Sequence, residues 1–456
     1  MYSIIAKHLV YPLGDLALGT SVMKYYRQLD QTQWLSHEKL KEMQNAKLQK
    51  LTRHAYTNVP YYNSLFNSLD LLPEDISTQE DLVKLPILTK QIITSNFEGL
   101  KAKDFRRYHP ILNKTGGSTG KPLQYYITKD LASINWAGMF RGWEWAKYNL
   151  GNKRITIGGS SLLPDDKISL FNKIRGALER NLPLTGAHLT EEILESHVNT
   201  IIGYKPEFFY GYSSAIYVLA DYCKQMGVDD IQPKAVFTTA EMLLPHYRFL
   251  IEKQFQCEVY DQYGSNDGGI QALECEYHNG FHITTEKAIV EIVDDKDNLV
   301  EPGQTGRIIV TDLHNYAMPF IRYENGDMGT LSTEQCPCGR GLPLLKSLEG
   351  RTSDILNFSN GVSISGPAVT LIFKDCDVKQ YQLVQTDHNE LSVNIIKGNN
   401  YSQNDENHFM GLLRHHAGEE ISISVNYCEN IPKTKAGKHR FIINEYENRK
   451  VNKNSK

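Results

Sequence analysis

From about residue 105, and most clearly between residues 154 and 264, short apolar and β-branched runs alternate with longer helical stretches. Arg154-Ile155-Thr156-Ile157-Gly158-Gly159 reads as a strand entering a tight turn, and Phe208-Phe209-Tyr210-Gly211 and Ala235-Val236-Phe237-Thr238-Thr239 read as further strands. Helical pieces near 167–180, 190–203, 213–227 and 244–254 separate them. Such alternation predicts a doubly wound α/β sheet, because parallel strands need a crossover long enough for a helix. Ligands of such sheets bind beyond the carboxyl ends of the strands.

The rest of the chain has a different texture. Residues 20–100 read mostly as helices punctuated by Pro60, Pro73 and Pro86. The runs 288–293 and 307–311 lie close together with turn residues between, which predicts a small antiparallel β unit at about 282–350. The last hundred residues read as a small α+β block. It has a hairpin from Tyr381 to Ile396 around Thr386-Asp387-His388-Asn389, a capping-box helix start at Ser402 and Asp405, a stop at Gly418 and a strand at 421–425. The expected organisation is a helical part at 1–100, a large domain at 101–350 that includes the β unit, a small domain at 351–450 and a tail at 451–456. A chain of 456 residues is long for one core.

Charge and cysteine usage narrow the partners. The net charge of −4 supplies no basic field for nucleic acid. No apolar run approaches the eighteen or so residues of a membrane span. Lys7 and His8 break the first apolar stretch, which does not read as a signal peptide. Seven cysteines, an odd number without an export signal, point to a reducing compartment, and a cytoplasmic location is expected.

Five short segments carry the chemistry. Lys114-Thr115-Gly116-Gly117-Ser118-Thr119-Gly120-Lys121-Pro122 is an anion cradle: glycines let N–H groups converge, hydroxyls donate, and lysine adds a point charge. It is not the kinase-like G-x-x-x-x-G-K-[ST] loop, because Thr115 stands five before Gly120 and Pro122 follows Lys121. The loop is therefore expected to join strand-like segments. Tyr260-Asp261-Gln262-Tyr263-Gly264-Ser265-Asn266-Asp267-Gly268 combines aromatic rings for stacking with carboxylates for magnesium at a strand end. Arg322-Tyr323-Glu324-Asn325-Gly326-Asp327 is a charged strand end and turn, and Gly350-Arg351-Thr352-Ser353-Asp354 falls where a hinge is expected. Pro432-Lys433-Thr434-Lys435-Ala436-Gly437-Lys438-His439-Arg440 is a second glycine–lysine turn. Each segment alone also fits a solvated surface turn.

In this order, from about residue 50 to 445, the segments resemble the adenylate-forming acyl-CoA synthetase superfamily, and within it the phenylacetate-CoA ligases and CapK-type proteins. The resemblance implies that the loop Thr115, Gly116, Gly117, Ser118, Thr119, Gly120 and Lys121 holds the β- and γ-phosphates of ATP. It places Thr239, Ala240 and Glu241 against the adenine, with Tyr263 against the base beside Gly264 and Ser265. Asp327 takes the ribose hydroxyls, Arg351 is a second nucleotide contact, and Lys438 is the catalytic lysine. The family often reads Tyr-Gly-x-Thr-Glu, whose glutamate helps bind magnesium; here Asn266 and Asp267 stand at those positions. Ser353, followed by Asp354, occupies the hinge position.

The implied reaction is ATP-dependent activation of a carboxylic acid as acyl-AMP with release of pyrophosphate. Acyl transfer follows, by default from an aryl or arylacetic acid to coenzyme A. Transfer to a sugar amine or hydroxyl in polysaccharide synthesis is one alternative, and a nucleotide-binding scaffold without catalysis is another. A kinase using the glycine loop would make ADP. Relatives are often homodimers, and one is expected here. Cys275, His278, His282, Cys336 and Cys338 form a candidate structural zinc set. Some relatives carry such a site in a Gly-x-His-Ile context, which favours His282 over His278. Cys223, Cys257, Cys376 and Cys428 read as ordinary core residues.

Overall fold

The computed structural model describes residues 2–114, 123–159, 162–163, 170–186, 189–265, 267–351, 356–360, 362–364, 369, 372–373, 375–434 and 439–446. The phosphate-loop residues 115–121, the hinge residue Ser353 and the catalytic candidate Lys438 lie outside that set. Two strands, β1 (Pro110–Lys114) and β2 (Gln124–Thr128), flank residues 115–122 and pair antiparallel, with Lys114 opposite Gln124.

An 11-stranded sheet organises most of the chain. Its parallel half contains β3 (Arg154–Gly158), β4 (Asn181–Thr185), β5 (Phe208–Tyr212), β6 (Ala235–Thr239) and β7 (Glu258–Gly264), in the order β4-β3-β5-β6-β7. Every residue of β3 and β5 is buried, the pattern expected when helices cover both faces. Helices Ser213–Met226 and Pro245–Phe255 pack through Ile216, Leu219, Tyr247 and Ile251 on one face. Helix Lys129–Trp145 covers the other, its Trp143 stacked on Phe237 at 5.1 Å.

The other half is antiparallel: β8 (Gln271–Glu274), β9 (Phe281–Ile283), β10 (Ala288–Val293), β11 (Thr305–Asp312), β12 (Tyr323–Leu331) and β13 (Leu344–Arg351). They continue the order as β7-β8-β9-β13-β12-β11-β10. The β unit read from the sequence is therefore continuous with the parallel sheet. The turn at 265–270 reverses the chain, so β8 returns along β7.

After two short strands, β14 (Leu356–Asn357) and β15 (Ser363–Ile364), a second sheet follows, of β16 (Val378–Asp387), β17 (Glu390–Lys397), β18 (Ser422–Tyr427) and β19 (Ile442–Asn444), in the order β18-β17-β16-β19. Helix Gln403–Ala417 starts at the expected box: Ser402 donates to Asp405 from both its N–H and its hydroxyl at 2.7 Å. Gly418, at φ +106°, ends it. Phe409 packs on Phe373, which stacks on Tyr381 at 4.3 Å. Phe441 bridges this sheet to helix Pro245–Phe255 of the large domain, with its ring 5.6 Å from Tyr381 and 6.5 Å from Tyr247.

No helix among the described residues is long and apolar enough to cross a membrane. The unpaired cysteines need one correction: only Cys223 is buried, while Cys257, Cys376 and Cys428 are half-buried. Cys428 follows β18, whose residues are mostly solvent-facing.

Candidate active site

The tips of β6 and β7 and the middle of β12 supply the site. Tyr263, near the end of β7, donates its hydroxyl to Asp327 Oδ2 at 2.7 Å and accepts from Asn325 Nδ2 at 2.8 Å. Asn325 Oδ1 also accepts from the Asp327 N–H at 2.9 Å, so one amide orients both partners. Asp327 faces Arg351 across the β12–β13 ladder, which is irregular beyond Met328. Bulges of this kind re-aim side chains.

Asp267 is held in a second knot. Its Oδ2 accepts from Tyr323 at 2.8 Å and its Oδ1 from Ser265 Oγ at 2.5 Å. Burial chiefly, with the neighbouring carboxylate of Asp267, pushes the Tyr323 hydroxyl far above its ordinary value, so it stays a donor. Gly268 and Gly269 follow at φ +84° and +81°. A Cβ on Gly268 would meet Tyr323 Cδ1 at 2.6 Å, and one on Gly269 the Asp312 carboxyl at 2.8 Å. Glycine is required here for both conformation and space.

After β6, Ala240 adopts φ +69°, a conformation L-residues seldom hold away from functional sites. Glu241 is next. Its Oε2 accepts from Ser214 N–H at 3.0 Å and its Oε1 from His439 N–H at 2.7 Å. Burial raises its carboxyl above the usual range, against the pull of those donors.

A second centre lies between β8, β9 and the turn at 336–342. The ligand atoms of Cys275, His282, Cys336 and Cys338 all lie within 4.8 Å of one another. Cys275 Sγ is 3.5 Å from Cys336 Sγ, and Cys338 Sγ is 3.3 Å from His282 Nε2. A tetrahedral zinc with ~2.3 Å bonds to sulfur needs sulfur atoms about 3.8 Å apart. His282 Nδ1 lies 3.3 Å from the Leu342 carbonyl, which only accepts, so Nε2 is the free ligand atom. His278 belongs elsewhere: its Nδ1 is 3.1 Å from Glu274 Oε2, and Arg248 grips the same carboxylate at 2.7 and 2.9 Å. Three thiols and one imidazole in a buried pocket fit zinc chemistry, and the closed set leaves no position for catalysis.

Known proteins resemble the chain along most of its length. The CapK C-terminal domain family matches residues 356–445. Protein CapK of Staphylococcus aureus is 26% identical over 88% of this chain and 89% of its own length. Phenylacetate-coenzyme A ligase of Thermus thermophilus is 26% identical over 77% of this chain and 79% of its own. In fold, 2-hydroxyisobutyryl-CoA ligase in its postadenylation state covers 93% of each chain with a TM-score of 0.75, at 17% identity. The same enzyme in its thioesterification state scores 0.61. Over most of its length the chain is similar to CapK and the phenylacetate-CoA ligases, and its fold is that of an acyl-CoA ligase.

The described part of the site is dense around the residues that the resemblance assigns to the nucleoside. Tyr263 and Asp327 touch, and Asp267 lies on the same turn. Thr239 ends the strand beside it, and Ala240 follows. Of Arg351 only its place in the ladder is described. Three residues received no role from the sequence: Tyr323, Asn325 and His439. The available signals were a tyrosine, an Asn-Gly pair (which the structure places inside β12 rather than in the expected turn) and a histidine beside Lys438.

Proposed function

We propose that this chain is an ATP-dependent, AMP-forming ligase that activates an aryl or arylacetic acid and passes the acyl group to coenzyme A. The observation that carries the reading is the contact between Tyr263 and Asp327, residues 64 apart in sequence that the resemblance assigns to base and ribose. In the first half-reaction a carboxylate oxygen attacks the α-phosphorus, the bond to the β-phosphate oxygen breaks, and pyrophosphate leaves. In the second, the thiol sulfur attacks the acyl carbon, the bond to AMP breaks, and the thiol proton passes to solvent.

Asp327 and Tyr263 orient the nucleoside; the loop 115–121 and Lys438 are assigned to phosphates and the reacting carboxylate. Asp267 is the candidate magnesium ligand, and the ion would neutralise phosphate charge. Each Asp267 oxygen keeps a lone pair beyond the bond it accepts. Catalysis of this kind rests on positioning and charge compensation. The higher score against the postadenylation form supports a tail placed as it is before thioester formation, with rotation about Ser353 between the steps.

A second acceptor reading is favoured by the wider span of the CapK match: a sugar amine or hydroxyl in polysaccharide synthesis. The deciding experiment is a carboxylic-acid screen by pyrophosphate release, with and without coenzyme A. AMP and thioester together support the main reading. AMP–pyrophosphate exchange without thioester supports the second, ADP would indicate a kinase, and no nucleotide turnover a scaffold. We further propose one structural zinc on Cys275, His282, Cys336 and Cys338, a homodimer and a cytoplasmic location.

A further inference from the structure

We infer that Glu241 is a positioning residue that docks the tail domain for adenylation, through its hydrogen bond to the main chain of His439. The inference rests on the ligase reading, in which the neighbouring Lys438 serves the first half-reaction.

The resemblance assigns Glu241 to the adenine, but the geometry uses its carboxylate differently. Both oxygens are occupied, one by Ser214 N–H near the start of helix Ser213–Met226 and the other by His439 N–H. One carboxylate thus joins the layer behind β6 to the lysine turn, nearly two hundred residues away in sequence.

The tail's side of the contact is fixed independently. His439 is 5% exposed, its Nε2–H donates to the Tyr381 carbonyl at 3.0 Å, and its ring packs on Phe441 at 4.5 Å. Burial holds that imidazole neutral, near 4. Burial lowers the ammonium of nearby Lys433 and the Glu241 carboxylate partly offsets this, so the carboxylate also interacts electrostatically with a tail lysine. A further polar link, Lys379 to Asp221 at 3.9 Å, is partly exposed and weak by comparison.

A buried acceptor shared between two domains registers one against the other, because releasing it strands a charge. Of the two bonds to Glu241, the one from His439 must break for rotation, while the Ser214 bond stays with the large domain. Glu241 therefore favours the first orientation without joining the chemistry.

The test uses the full chain and two variants, Glu241→Gln and Glu241→Ala. We expect kcat for acid-dependent pyrophosphate release to fall about 10²-fold, the cost of a misplaced catalytic group. KM for ATP should stay unchanged, and thioester formation from supplied acyl-adenylate and coenzyme A should persist. Hydrogen exchange in 431–434 and 439–446 should accelerate in Glu241→Ala without ligand. A raised KM for ATP at unchanged kcat would make the carboxylate a base contact and overturn the inference. Equal loss of both half-reactions, or unaltered exchange, would also overturn it. Should the unsubstituted protein turn over no acid, the ligase reading fails, while exchange still decides the docking.

Discussion

The two halves of the large sheet deliver functional residues in different ways. In the parallel half the candidate residues sit at strand tips: Thr239 as the last residue of β6, with Ala240 and Glu241 after it, and Tyr263, Gly264, Ser265 and Asp267 at and just beyond the end of β7. In the antiparallel half it sits within a ladder, with Asp327 placed by its register against Arg351. A tip needs only a packed layer beneath it, and the buried β3 and β5 provide one. A ladder residue depends on every strand to either side keeping register. The antiparallel half is accordingly braced by buried ion pairs, Arg322–Glu291 at 3.0 Å and Arg141–Glu286 at 2.8 Å, and by the Cys/His cluster.

The hardest way to break this contrast is to deny the Cys/His cluster the zinc proposed for it. A closed structural zinc site contributes on the order of 10 kcal/mol of folding free energy in small domains. We expect one zinc per chain by atomic spectroscopy. Chelation or Cys336→Ala should lower the thermal midpoint sharply and abolish nucleotide binding with it. Loss of zinc at an unchanged midpoint would show that the antiparallel half needs no such brace.

Next comes Glu291→Ala. Arg322 donates from Nε to both Glu291 oxygens, at 3.1 and 3.3 Å, and from Nη1 to the Leu85 carbonyl at 2.6 Å. Removing the carboxylate leaves a buried guanidinium without its counter-charge, which costs about 3–5 kcal/mol. Urea denaturation reads the loss directly. A drop under about 1 kcal/mol would place the register elsewhere than in this pair.

This contrast also explains what the sequence showed. Strand–helix alternation reveals the parallel half because each crossover has its own period. The capping box at Ser402 and Asp405 is equally local. The continuity of the β unit with that sheet was not legible, since it follows from one chain reversal at 265–270. Segment order was enough to nominate Tyr263 and Asp327. The amide that ties them, Asn325, shows only when β7 and β12 are side by side. The bond between Glu241 and His439 is invisible for the same reason.

The junction between the halves predicts a smaller effect. Gly268→Ala forces an L-residue to φ +84° and puts a methyl 2.6 Å from the Tyr323 ring. The strain is about 2 kcal/mol. Displacing Tyr323 also frees Asp267, so pyrophosphate release should fall about 10²-fold. The Cys/His cluster should keep its metal. If activity survives, the two knots around Asp267 and Asp327 are independent.

The smallest effect belongs to the parallel half and to pH. His246, in helix Pro245–Phe255, lies against the rings of Tyr217 and Tyr247, at 5.7 and 4.6 Å, with no partner for Nε2 among the described residues. Burial alone pulls its imidazole down to about 4, against roughly 6.5 in an unfolded chain. Between those values the unfolded state holds a proton that the folded state lacks. Stability is therefore full above about pH 6.5 and declines as pH falls toward 4. At pH 5 the loss is about 1–2 kcal/mol. His246→Phe should flatten the stability profile in that window by this amount, because phenylalanine does not titrate. His439 titrates with the same sign on the tail, while the raised carboxyl of Glu241 opposes it, so the variant is needed to isolate His246. The two buried pairs of the antiparallel half unite a guanidinium with a carboxylate and leave no lone imidazole. An unchanged profile in His246→Phe would mean that the acid sensitivity lies in the tail's docking rather than in the parallel half.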